Sequence, residues 1–198
     1  MTNVPPTQHA TPTTSAASRG AEERHWFHFW FSTFGTWLRA DKRGFRDHDH
    51  RTHSSGDYRK PPPEDEHAGL RRWVLENMHK DPVRLSPALI NRVGPELVRL
   101  LFEKQVELLV LAVMPDHVHG LGRFPASGIR ALVGHAKKYS SHAIRDAIPG
   151  AVWAKKCAVK RIKDRDHQVT TFHYIARHRS KGAWVWTFRQ ERGCFGPA

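Results

Sequence analysis

The amino-acid sequence predicts an α+β domain: an antiparallel sheet with helices on one face and a last helix set apart from them. Three observations carry this. The apolar run "VELLVLAVM" passes through a short turn at Pro115-Asp116 into "HVHGLGRF", the pattern of a hairpin of two central strands. Amphipathic stretches with a helical period lie on either side of that hairpin. An aromatic, β-favouring stretch, "HWFHFWFSTFGTWL", occupies residues 25–38.

Taken in order, the chain begins with "MTNVPPTQHATPTTSAASRG", rich in Thr, Pro and Ala and without the apolar core of a secretory signal. A disordered leader is expected over 1–22, one domain over 23–188 and a tail over 189–198. The aromatic strand gives way to "RADKRGFRDHDHRTHSSGDYRKPPPEDEH", polar and Pro/Gly-rich with no helical period, so a loop insertion is expected over 40–66. His48, His50 and His53 stand there beside Asp47 and Asp49, but nothing in the segment pins them as ligands, and a solvated loop is the expected state.

"GLRRWVLENMHK" has a helical pattern. So has "SPALINRVGPELVRLLFEKQ", where Leu89, Val93, Leu97, Leu100 and Leu101 keep the period and Gly94-Pro95 should break or kink it. The two middle strands follow at 106–114 and 117–124. "SGIRALVGHAKKYSSHAIRDAI" is amphipathic, with Ser127 as its expected N-cap. "AVWAKKCAVKRI" reads as a strand, and "DRDHQVTTFHYIARHRSKG" as a final helix stopped near Gly182. The strand and helix order, βαββαβ and one further α, is the split βαβ, ferredoxin-like arrangement, with helices on one sheet face and the other free.

The chain carries 32 Lys and Arg against 19 Asp and Glu, a net charge of +13 with a pI near 10.3. A polyanionic partner suits that balance, and nucleic acid is the commonest one. No apolar run reaches the roughly 18 residues of a membrane-spanning helix. Cys157 and Cys194 lie far apart with no CxxC spacing, which fits a reducing cytoplasm and argues against a zinc–thiolate site.

Within "VMPDHVHGLG", His117 and His119 stand two apart on a strand. They project to the same face while Val118 points to the other, a geometry that lets two imidazoles share one divalent ion. A barrel hydrolase with such a pair needs about 250 residues and is excluded by length. The HxHxDH pattern of other metal hydrolases is absent. The chain has three tyrosines, Tyr58 in the polar loop, Tyr139 in "HAKKYSS" and Tyr174 in "TFHYIARHR". Tyr174 shares a helical face with His178, four residues on.

"PDHVH" at 115–119, "HAKKYSS" in the following helix and "HYIARH" in the last one together resemble the single-tyrosine HUH transposases, in particular the REP-associated tyrosine transposases. The resemblance spans roughly residues 25–188. It implies a metal-dependent enzyme that nicks single-stranded DNA and transfers the strand. Tyr174 would be the catalytic nucleophile, and a divalent ion, Mg2+ or Mn2+, would be held by His117, His119 and His178. That family usually has Gln or Asn where His178 stands, and a third imidazole tilts the preference toward manganese or another transition metal. The resemblance further implies a 5′-phosphotyrosine intermediate, hairpin single-stranded DNA as partner and either a monomer or a homodimer. Basic residues expected on the DNA path are Lys137, Lys138, Lys155, Lys156, Lys160, Arg161, Arg177 and Arg179, with Lys163 and Lys181 near them. Trp184 and Trp186 are candidates for base stacking or for the core. A domesticated or catalytically silent relative that binds hairpin single strands is the alternative; a replication-type HUH nickase fits the "HYIARH" context poorly.

Overall fold

The computed structural model describes residues 23–41 and 65–188, together with 44, 53 and 63. The expected leader and tail, most of the 40–66 insertion with His48, His50 and Tyr58, and Cys194 lie outside the described residues.

Among the described residues five strands and four helices follow one another as β1 (Arg24–Ser32), α1 (Ala68–Glu76), α2 (Pro87–Glu103), β2 (Glu107–Val113), β3 (His117–Pro125), α3 (Ile129–His142), β4 (Ala158–Arg161), α4 (Arg165–Ala176) and β5 (Trp184–Thr187). A 3-10 turn, Arg177–Lys181, continues α4 and ends at Gly182 with φ 81°. The sheet order is β4-β1-β3-β2-β5, with every neighbouring pair antiparallel. Its first four strands reproduce the expected split βαβ order.

The period of two along β1 sorts its side chains onto two faces. Phe27, Phe29 and Phe31 join the larger core, which Ile90, Val93 and Leu97 of α2 and Val133 and Ala136 of α3 close from above. Gly120 makes room at the centre, since a Cβ there would lie 2.2 Å from the Phe29 ring. Trp26, His28 and Trp30 alternate with those phenylalanines and face the other way.

That opposite face, expected to be free, is partly covered. Ile175 of α4 packs with Val110, Ala112 and Leu121 in a second apolar cluster. This seats the C-terminal end of α4 beside the strand bearing the histidine pair.

The structure departs from the sequence-based expectations at four further places. A fifth strand, β5, pairs with β2 where the last helix was expected to end the fold. Helix α2 runs unbroken through Pro95, because its buried face from Ile90 to Leu101 holds both halves on the core. Gly94 opens the surface there for the Trp184 ring, which a Cβ would meet at 2.4 Å. The residue before α3 is Gly128, in the left-handed region at φ 85°, and Ser127 does not cap the helix. Strand β4 is confined to four residues. The carbonyls of Ala154, Lys155 and Lys156 turn instead to the Lys137 ammonium at 2.6, 3.3 and 3.1 Å, leaving Trp153 a single bridge to Thr33.

Among the described residues no helix is long and apolar enough to cross a membrane.

Candidate active site

The hairpin puts His117 and His119 on the side of the sheet where α4 lies. One ligand atom from each of His117, His119 and His178 falls within 4.8 Å of the other two. The ring centroids of His119 and His178 are 5.3 Å apart, and those of His117 and His119 are 5.1 Å apart. Two of the three are buried, His119 8% and His178 7% exposed, and His117 is half-buried at the cleft.

Each ring has its Nδ1 engaged. His178 Nδ1 donates to the carbonyls of Tyr174 and Ile175 at 3.0 and 3.1 Å. His117 Nδ1 lies 2.6 Å from Asp116 Oδ1. His119 Nδ1 lies 2.9 Å from Nε2 of His28. With all three Nδ1 atoms engaged, the Nε2 atoms are the ones left available to a metal ion, an arrangement usual for metal-bound histidines. Burial, and after it the charge of Lys160, holds the His28 imidazole down at about 4. Burial, followed by the neighbouring His28, holds His119 at about 3. Both rings are therefore neutral at pH 7, as a nitrogen ligand and its acceptor partner require. A donor set of three imidazole nitrogens fits a divalent transition ion.

Tyr174 stands at the edge of this cluster and is 42% exposed. Its ring meets His119 at 5.5 Å, His178 at 5.1 Å and His28 at 6.1 Å, each edge-on. A cleft of about 740 Å³ opens in front of it, bounded by Trp30, Trp37, His117, Lys156 and Cys157. The structure thus brings His117, His119, Tyr174 and His178 together. It keeps Tyr139 apart, on α3 over the opposite sheet face, ringed by His135 and His142 at 4.5 and 5.6 Å.

The expected DNA-contacting cations sort less uniformly. Lys156 borders the cleft, and Lys160 sits opposite His28 on β4, on the site face. Lys155, Arg177 and Arg179 are exposed, Arg179 also donating to the Val185 carbonyl at 3.0 Å. Arg161 pairs in register with Phe27 and so leaves β4 on the other face, where it meets His25. Lys138 is exposed on α3, away from the histidines. Lys137 is corrected outright: it is 7% exposed, and its ammonium is committed to three carbonyls. Trp184 and Trp186 pack against the larger core, Trp186 edge-on to Phe102 at 5.4 Å, and do not face the cleft.

Two residues of the site were not singled out from the sequence. His28 reaches His119 only through the register of β1 on β3. Trp37 borders the cleft from the loop after β1. The alternation of "HWFHFWFS" was the available signal for His28; nothing local marked Trp37.

Residues 86–178 match the family described as IS200-like transposases. Among solved structures, the chain is similar to a REP-associated tyrosine transposase bound to a REP hairpin, 10% identical over 83% of this chain and 72% of that one, with a TM-score of 0.46. It is also similar to a candidate transposase from Deinococcus radiodurans R1, 16% identical over 81% of this chain and 94% of that one, with a TM-score of 0.37. No curated protein matches the chain.

Proposed function

We propose, from the match of residues 86–178 to the IS200-like transposases, that this chain is a DNA transposase that nicks and rejoins single-stranded DNA through Tyr174. The observation that carries the reading is the placing of the Tyr174 ring within 5.1 to 6.1 Å of three histidine rings, at the mouth of a cleft.

His117, His119 and His178 would hold the divalent ion, Mn2+ or Mg2+. The chemistry it supplies when bound is neutralisation of the phosphate charge that otherwise repels an incoming oxyanion. The protein's own groups do the rest. Asp116 and His28 fix the orientation of His117 and His119. The Tyr174 oxygen attacks phosphorus, loses its proton and forms the phosphotyrosine bond. The bond from phosphorus to the 3′ oxygen breaks, and that oxygen leaves as a 3′ hydroxyl after taking up a proton. The covalent link conserves the bond energy, so attack by another 3′ hydroxyl reseals a strand without a nucleotide cofactor. Lys155, Lys156, Lys160, Arg177 and Arg179 would neutralise flanking phosphates. Hairpin ends are the proposed form of the substrate.

Incubation with labelled single-stranded hairpin DNA and Mn2+ or Mg2+ should give a denaturant-resistant protein–DNA adduct. Tyr174→Phe should lose it and still bind the DNA, and Tyr139→Phe should keep it. An adduct that survives Tyr174→Phe would end the assignment. No adduct from the wild-type chain across several hairpins and both metals would favour the catalytically silent binder.

A further inference from the structure

We propose that Trp37 is the platform on which an unpaired nucleobase, next to the phosphodiester being cut, stacks. This rests on the reading of the substrate as single-stranded DNA and adds how the cleft selects it.

Trp37 is 56% exposed, an unusual state for so large an apolar ring. The loop that carries it is held firmly. Thr33 N donates to the Asp116 carbonyl at 2.8 Å, and the hydroxyls of Thr33 and Thr36 donate to the same oxygen at 3.1 Å each. Phe34 N donates to the Val152 carbonyl and Val83 N to the Phe34 carbonyl, both at 2.8 Å. Gly35, at φ 73°, makes the bend. The anchor oxygen belongs to Asp116, the residue whose side chain orients His117. One short segment therefore fixes both the exposed indole and a member of the histidine cluster, so the distance between them is preset.

The cleft between the two has aromatic and small apolar walls in Trp30, Trp37, Cys157 and Ala158, the histidines at its back and the Lys156 cation beside them. A base in a duplex has both faces stacked and its edge paired, and offers such a cleft nothing apolar. A base freed from its neighbours offers a flat face, and stacking on an aromatic side chain is worth about 1–3 kcal/mol per base by alanine substitution. Lys156 would then meet the phosphate of the same nucleotide. The platform tolerates any base and requires that it be unpaired.

The test uses the full chain and two probes: a thymidine oligonucleotide about twelve nucleotides long, within the reach of a single-strand groove, and the same backbone with every base removed. Binding is read by fluorescence anisotropy. Trp37→Ala should weaken binding of the thymidine strand about tenfold, Trp37→Phe should recover most of it, and neither should change binding of the abasic strand. The thermal midpoints of both variants should match the wild type. Equal binding of the thymidine strand by wild type and Trp37→Ala, or an equal loss on both probes, would overturn the platform. The Tyr174 adduct assay is run in parallel. Adduct formation together with an unaffected Trp37→Ala refutes this inference and leaves the proposed function standing; absence of the adduct refutes that function by itself.

Discussion

His28 Nε2 sits 2.9 Å from His119 Nδ1, and which of the two atoms carries the hydrogen decides whether His119 can act as a ligand. For His119 Nε2 to keep its lone pair, Nδ1 must donate and His28 must accept, which requires a neutral His28 ring, the state that its lowered pKa favours. A leucine at position 28 keeps much of the bulk and removes the acceptor. His28→Leu should lower the apparent affinity for Mn2+ by roughly tenfold to a hundredfold, the usual loss for such an outer partner, with little change in thermal midpoint. Titration followed by manganese paramagnetic resonance reads this directly, and an unchanged affinity would show that His119 needs no orienting neighbour. The contrast with His117 and His119 explains what single residues disclose in a sequence. Two residues apart on a strand is a local relation, visible in "HVH"; four apart across Tyr174 and His178 is local to a helix. His28 meets His119 across strands that are 91 residues apart in the chain, and only the register of β1 on β3 makes them neighbours.

Among the elements, the hairpin and the main helices were legible because each is long and keeps its period. Those that were misread were short or held from a distance. Strand β5 has four residues, too few for an alternation to stand out, and it is secured by pairing with β2 and by Trp184 lying on Gly94. The residues before β4 look β-favouring, yet their carbonyls are drawn away by Lys137 from α3, a lysine on the buried face of a helix that a polarity pattern assigns to solvent. Lys137→Met fills the same volume but supplies no donor. Three carbonyls of the segment 154–156 would lose their partner, and the variant should lose roughly 1–3 kcal/mol of stability. Urea denaturation measures that loss. Hydrogen exchange should rise in residues 154–157, beside the cleft, more than in β2 or β3, and a uniform rise would mean that Lys137 supports the core rather than this segment.

At the scale of the whole molecule the sheet has two faces, one covered by α2 and α3 and one bearing the histidine cluster, and the chain carries a surplus of 13 positive charges. The total was plain from composition, and it pointed to a polyanion. The placement of the individual lysines was not, because a lysine in a sequence carries no sign of which face it leaves by. Lys156 and Lys160 belong to the face of Tyr174, Lys138 to the helix-covered side, and Lys137 has its charge committed inside. This arrangement makes a quantitative expectation for salt. Each phosphate of a single strand neutralised by a cation adds about 0.7 to the magnitude of the slope of log affinity against log salt. Lys156→Ala and Lys160→Ala should therefore each flatten the slope for single-stranded DNA by about that amount, and the two together by about twice it. Lys138→Ala should leave the slope unchanged despite removing the same unit of charge. Anisotropy titrations across a series of salt concentrations separate these cases. Equal flattening by all three substitutions would mean that the strand responds to net charge alone and that the sheet face bearing the histidines does not direct its path.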